Sequence, residues 1–405
     1  MSTEVLRISA DDPSPVDERF SRFGLIAWWD QKKLTEARVL VIGAGALGNE
    51  IIKNLALLGV GNLFIADKDR IESSNLSRSI LFRESDAGAF KAEVAARAAK
   101  QIYPKINVGY FNGDIVHDLG AGVFRWADVV IGGLDNREAR LTINRNCWRV
   151  NRPWIDGAIE QIQGVARVFI PETDGPCYEC TMSANDWKLL QARRACNLLS
   201  RQQMEEGKTP TTPTISSIIA GVQCQEAVKI LHGLETIGGR GWIFQGLSTD
   251  AYVTQYQRKT ECYSHDTLDE IVPLDQGVDA ITIGDLLHKA ADAIGGSASL
   301  ELCREVLKKL ACARCGAEEI VHESLGKISA DRAACPNCAN PHRDVITFDR
   351  IDADVTLLDR TPAQIGLPPM DIVVARGPDR AIGLEFTGDA PKVLGAPADS
   401  GLELT

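Results

Sequence analysis

The chain has 405 residues, 44% of them apolar and 24% charged, with a formal net charge of −11. That length allows two or three domains with a buried core, and the acidity argues against nucleic acid as a partner, since phosphate binding needs a basic surface. The acidic start "MSTEVLRISADDPSPVDERF" lacks the basic head and apolar stretch of a signal peptide, no apolar run reaches bilayer length, and six of the eleven cysteines form Cys-x-x-Cys pairs; no membrane association, reduced thiols, metal and a cytoplasmic location are expected.

In chain order, "RVLVIGAGALGNEIIKNLALLGVGNLFIAD" reads as strand, glycine turn, helix, strand. The apolar run 39–42 is continuous, as in a strand buried on both faces. Helical spacing covers 50–58, and the second strand ends at Asp67. A helix is predicted around 86–102, stopped by Pro104, then a strand in "ADVVIGGLDN" and a helix through "REARLTINRNCWRVN" up to Pro153. This alternation predicts an α/β fold with a Rossmann-like, doubly wound parallel sheet.

After Pro153, "GVARVFI", "GWIFQG" and "AYVTQYQR" read as an antiparallel extension. "TPTISSIIAGVQCQEAVKILHG" has a helical core ending at Gly233, and "CNLLSRQQMEEGKTPTTP" reads as a polar crossover loop. From about Asp269 the composition shifts. Two helical segments are predicted near 283–294 and 298–310, then a cysteine module over 312–338 and a strand-rich tail with Pro and Gly turns. The expected division is an N-terminal tail (1–17), an α/β unit (18–268) and a C-terminal β-rich module with a zinc ribbon (269–405).

"GAGALG" places Gly43, Gly45 and Gly48 between a strand and a helix. Such a turn lets backbone N–H groups and the helix N-terminus meet phosphate, and Asp67 is placed to accept from a ribose hydroxyl. Taken alone, this suits an NAD-dependent oxidoreductase. The next residues shift the balance. "DKDRIESSNLSRSILFRESDAGAFKAE" holds Asp67, Asp69, Asn75, Arg78 and Lys91, and "GGLDNREAR" adds Asp135 and Asn136. Each alone reads as a solvated surface residue; together, cations, carboxylates and amides around a glycine turn suit a triphosphate with magnesium.

These motifs, with "RFSRF", "WIDGAIEQIQGVARVFIPETDGPCYEC" and "ISSIIAGVQCQEAVKIL", resemble the ubiquitin-activating-enzyme superfamily, including the ThiF and MoeB adenylyltransferases, over about 18–265. The resemblance implies ATP-dependent adenylation of the C-terminal glycine of a ubiquitin-like or sulfur-carrier protein, in a homodimer, with a conjugating enzyme as a downstream partner if a thioester forms. It implies that Asp67 holds the ribose, that Asn75, Arg78 and Lys91 face the phosphates, and that Asp135 organises magnesium. Arg22 of "RFSRF" matches an arginine that reaches the partner's ATP, although Phe23 stands where the family has glutamine.

Some members capture the acyl group on a cysteine, and others leave it as the adenylate. Cys196, after Arg193 and Arg194, suits a thiolate because neighbouring cations favour it; the plain alternative is an unreactive loop thiol. Cys147, Cys224 and Cys303 read as structural, the last on the second of the predicted helices, and His117, His232 and His288 as surface or capping residues. A sulfur-carrier adenylyltransferase without a thioester, and an adaptor that has lost turnover, are the alternative functions.

Cys312-x2-Cys315 and Cys335-x2-Cys338 have zinc-ribbon spacing. Cys177-x2-Cys180 then needs other partners. The resemblance implies a second pair after the last strands of the adenylation unit, where Cys262-x2-His265 stands. A second structural zinc, held by three cysteines and one histidine, is therefore expected.

Overall fold

The structure is a computed structural model that describes residues 17–195, 210–328, 330–352 and 356–399. Strands β1 (Arg38–Ile42), β2 (Asn62–Ala66), β3 (Asn107–Phe111), β4 (Val129–Gly132) and β5 (Trp154–Glu160) run parallel, in the order β3-β2-β1-β4-β5. Strands β6 (Gln163–Phe169), β7 (Arg240–Gln245) and β8 (Asp250–Gln255) continue the sheet antiparallel. The helices of this half are α1 (Gln31–Glu36), α2 (Ala46–Leu58), α3 (Lys91–Ile102), α4 (Ala121–Trp126), α5 (Arg137–Arg149), α6 (Tyr178–Thr181), α7 (Ala184–Ala195) and α8 (Pro213–His232).

β1 is apolar throughout because both of its faces are covered. Val39 and Val41 join a core with Ile51, Ala95 and Ile219 of α2, α3 and α8. Leu40 and Ile42 join another with Phe124 and Ile143 of α4 and α5. The strand order reverses at β1, with β2 on one side and β4 on the other, which opens a crevice at the carboxyl ends where ligands of such sheets bind.

Two helix starts differ from expectation. α2 begins at Ala46, inside the glycine motif, because the last glycine of that motif belongs to its first turn. α3 begins at Lys91, not near 86: a 3-10 turn (Glu84–Asp86) and Gly88, at φ +86°, hold the chain out of the helix until then.

A second sheet holds β9 (Ile271–Leu274), β10 (Ser299–Ala311), β11 (Glu318–Ser324), β12 (Asp344–Ile351), β13 (Ile372–Arg376) and β14 (Ala381–Phe386). Its order is β11-β10-β13-β14-β9, with β12 also on β10. Helix α9 (Ile283–Ile294) packs on it through Ile283, Leu286 and Ala290. The helix expected over 298–310 is the strand β10. Its pairings slip between Glu301 and Val306 and between Leu307 and Lys309, so Val306 and Leu307 are both buried in succession. Bulges break the two-residue alternation and leave apolar spacing that imitates a helix, while pairing with β11, β12 and β13 outweighs local propensity.

The second sheet packs against the first half. Asp371 accepts from Arg304 Nε and Nη2, both at 3.0 Å, and from the Ala121 N–H at 3.0 Å. Arg304 also donates to the carbonyls of His117 (2.8 Å) and Leu119 (3.0 Å). Arg125 pairs with Glu385 at 2.5 Å, and Leu394, at the end of helix α10 (Ala390–Leu394), enters the α4–α5 core. Among the described residues, no helix is long and apolar enough to cross a membrane.

Candidate nucleotide site and metal centres

The glycine turn follows β1. Gly43 adopts φ +94°, and a Cβ there would lie 2.5 Å from the Gly133 carbonyl oxygen. A Cβ on Gly48 would run into the Gly43 carbonyl, so the turn and the helix meet only without a side chain. Gly45, the N-cap of α2, faces open space. The backbone and helix start can therefore approach an anion closely.

Asp67 is built into this turn. Its carboxylate accepts from the N–H groups of Ala44 (2.6 Å) and Asp69 (2.7 Å). Burial raises its carboxyl above the ordinary range, opposed by the charge of Lys91. Lys91, buried at the start of α3, places Nζ 2.7 Å from Asp69 Oδ2. Asn75 is buried and accepts from the Glu72 N–H at 3.0 Å, and Arg78 donates to the Ser74 carbonyl at 2.8 Å. Asp135 is exposed between β4 and α5, and Asn136 caps α5 by accepting from the Ala139 N–H at 2.8 Å.

Gly43, Gly45, Gly48, Asp67, Asp69, Lys91, Asp135 and Asn136 thus lie on loops at the carboxyl ends of β1, β2 and β4 or at the helix starts that follow. The segment that carries Asn75 and Arg78 is tied to the same end at Leu81, through Asn49. That buried amide donates to the carbonyls of Ala44 (2.7 Å) and Gly45 (3.0 Å) and accepts from the Leu81 N–H at 2.9 Å.

Arg22 is not brought to this group. The turn that carries it packs at the far ends of the helices: Arg19 Nη1 donates to the Ile102 carbonyl at 2.5 Å, and Phe20 lies against Gly59 and Tyr103. Lys91 begins α3 and Ile102 ends it, about 16 Å apart at helical rise. Arg22 is exposed there. Cys196 lies outside the described residues.

The sequence reading overlooked four residues beneath the site. Arg140 donates from Nε to Asp156 Oδ1 at 2.8 Å, and from Nη2 to the Leu134 carbonyl and, at 3.0 Å, to that of Gly157. Arg167 approaches the other Asp156 oxygen at 2.8 Å. Gln223, buried in α8, donates to the Gly132 carbonyl at 2.8 Å. An acid within the apolar stretch "WIDGAI" was the available signal, because a buried carboxylate needs partners. Nothing in the sequence said which arginines would supply them.

Both cysteine groups converge. The ligand atoms of Cys177, Cys180, Cys262 and His265 all lie within 4.8 Å of one another, as do those of Cys312, Cys315, Cys335 and Cys338. In the first, Cys177 and Cys262 sulfurs are 3.5 Å apart, Cys177 and Cys180 3.7 Å, and Cys180 Sγ lies 3.5 Å from His265 Nε2. In the second, the Cys312–Cys338 and Cys315–Cys335 separations are 3.6 and 3.7 Å. Zinc–sulfur bonds near 2.3 Å at tetrahedral angles put sulfurs about 3.8 Å apart, so both donor sets fit structural zinc. The first joins 177–180 to 262–265, and the second closes the β10–β11 and 335–338 turns.

Among the described residues, Cys147 and Cys224 are buried core groups, while Cys303 is half-buried and sits on β10, not on a helix. Cys303 donates to the Ile372 carbonyl at 2.8 Å, and burial raises the Cys147 and Cys303 thiols and pushes that of Cys224 up to about 12. His232 is buried at the end of α8, where its Nε2 accepts from the Asp30 N–H at 3.1 Å.

A doubly wound sheet with a glycine turn, a carboxylate just after the next strand and cations around the mouth is the pattern of nucleotide-binding α/β proteins. The comparisons are more specific. The ThiF family matches residues 18–264. The chain is 31% identical over 244 residues to the SAMP-activating enzyme E1 of Haloferax volcanii, covering 57% of this chain and 81% of that protein. It is 30% identical over 237 residues to the sulfur carrier protein ThiS adenylyltransferase of Escherichia coli, covering 58% and 89%. Its fold resembles the crystal structure of Escherichia coli MccB with ATP: TM-score 0.51 and 23% identity, over 62% of this chain and 75% of that one. The chain belongs to the ThiF family and is an ATP-dependent adenylyltransferase of the ubiquitin-activating type.

Proposed function

We propose that the protein adenylates the C-terminal glycine of a ubiquitin-like protein and then passes the acyl group to the Cys196 thiol. The observation that carries the adenylation reading is the gathering of the glycine turn, Asp67, Asn75, Arg78, Lys91 and Asp135 at one end of the sheet. Likeness to the SAMP-activating enzyme supports the carrier class. The thioester rests on Cys196 following two arginines.

In this reading a glycine carboxylate oxygen attacks the α-phosphorus of ATP. The bond from that phosphorus to the bridging oxygen breaks, and pyrophosphate leaves with the electron pair. Asp67 orients the ribose. Lys91 and Arg78, with Asn75, stabilise charge growing on the phosphates, held in place beforehand by Asp69 and the Ser74 carbonyl. Asp135 offers an exposed hard oxygen donor, which suits magnesium; that ion supplies charge neutralisation on the phosphates. Attack by the Cys196 thiolate on the acyl carbon then releases AMP.

The site is assigned to 18–268 and the second sheet to an interaction module, with both cysteine groups holding structural zinc. A homodimer is supported by exposed apolar side chains on packed neighbours: Leu25 and Trp28 of the N-terminal turns, Leu57 on α2 and Ile218 on α8. Arg22, remote from its own site, would serve the partner's. The cysteine usage supports a cytoplasmic location. A conjugating enzyme would take the thioester.

Carrier-dependent exchange of pyrophosphate into ATP tests adenylation; no exchange with any carrier ending in glycine refutes it. A thiol-labile adduct that persists in Cys196→Ala refutes only the nucleophile. Mixing Arg22→Ala with Lys91→Ala chains tests action across the dimer, since hybrids would regain one complete site. The second reading, activation of a sulfur carrier without a thioester, is favoured by the similar likeness to the ThiS adenylyltransferase.

A further inference from the structure

Buried polar atoms normally have partners, so an orphan asks for one. The Oδ1 of Asn112 is buried and has no hydrogen-bond partner among the described residues. Asn112 directly follows β3. Ala66 pairs with Phe111 in register, so the next pair across the two strands is Asp67 and Asn112, about 4.8 Å apart at sheet spacing.

Side-chain parity puts both on one face of the sheet. Leu63 and Ile65 on β2, and Val108 on β3, point into the α2–α3–α8 core. Asp67 and Asn112 continue those two rows, at the carboxyl ends of their strands. The Asn112 backbone is pinned on both sides. The Asp67 N–H donates to the Phe111 carbonyl at 3.1 Å, and Lys68 pairs with Asp114 at 3.2 Å. Gly113 lets the chain turn sharply after it, since a Cβ there would strike the Phe111 ring.

The strand order then reads as an order of ligand parts. β1 carries the phosphate turn and β2 the ribose carboxylate, so the base extends over the end of β3. We propose that the Asn112 carboxamide oxygen accepts the exocyclic amino N–H of adenine and thereby selects the base of the nucleotide. This rests on the assignment of the same crevice to ATP.

The test is equilibrium binding of ATP and of purine riboside triphosphate, which lacks the 6-amino group, each with magnesium, to the full chain. Wild type is expected to prefer ATP about tenfold, the worth of one hydrogen bond to an otherwise unpaired acceptor. Asn112→Ala is expected to bring that ratio to about one, through weaker ATP binding with the analogue nearly unchanged. Asn112→Asp keeps an acceptor and is expected to restore the preference, which a merely structural role would not do. Binding of ATP with no preference in wild type, or a preference that persists in Asn112→Ala, overturns this inference alone. Failure of wild type to bind either triphosphate overturns the ATP reading with it.

Discussion

Arg140 and Asp156 meet at 2.8 Å beneath the crevice, and the same guanidinium holds the Leu134 carbonyl, next in sequence to Asp135. Burial alone would raise the Asp156 carboxyl, but Arg140 and Arg167 outweigh it and hold it below its ordinary value. Arg140→Leu removes one cation from a fully buried carboxylate and strands two carbonyls. The expected loss is about 3 kcal/mol of stability, read by urea unfolding, with weaker ATP binding as the Asp135 loop is released. Arg140→Lys should recover little, because an ammonium cannot form the fork. Unchanged stability in the leucine variant would show that the pairing is dispensable.

Asp67 supplies the pH dependence. Its carboxyl is raised above the ordinary value near 4, so it protonates at a higher pH than an exposed aspartate. The ribose contact proposed for Asp67 needs the carboxylate as acceptor. ATP affinity should therefore be flat above the raised value and fall as pH drops through it. For folding the sign reverses: the native state holds this proton more tightly than the unfolded chain, so Asp67 lowers stability as pH rises through that window. Titrating ATP affinity from pH 7 to pH 4 checks this, and a curve that stays flat throughout contradicts it.

Elemental analysis should find two zinc ions per chain. Cys180→Ser and Cys315→Ser should each reduce that to one, and the double variant to none. Loss of the first ion unties 177–180 from 262–265 and should lower the melting temperature of the nucleotide-binding half. Loss of the second should leave adenylation largely intact, because its ligands lie on the β10–β11 and 335–338 turns. A single ion shared by the two groups would contradict this partition.

Asp371 joins the two sheets. It is fully buried and serves Arg304 and the Ala121 N–H together. Asp371→Ala leaves Arg304 without its carboxylate and is expected to cost about 3–5 kcal/mol. Limited proteolysis should then separate the β-rich part from the α/β part. Cleavage patterns identical to wild type would show that the apolar contacts of Ile372 and Leu394 hold the junction without it.

The parallel half was legible because its rules are local. A continuous apolar strand, a glycine turn and an apolar helix can be read from neighbours in sequence, and so could Gly43, Asp67, Lys91 and Asp135. The cysteine spacing announced the ribbon in the same way. β10 was misread because bulges erase the alternation on which strand recognition depends.

What the sequence determined by itself was chemistry carried by residue type at short spacing: a glycine turn open to an anion, a group of charges, and donors suited to zinc. Only the tertiary structure decided which distant groups meet. It paired Arg140 and Arg167 with Asp156, placed Asn112 beside Asp67, and set Arg22 at the opposite end of α3 from Lys91. Those relationships depend on strand order, register and helix length, and a buried charge or amide is satisfied by whatever the fold brings within about 3 Å, not by its neighbours along the chain.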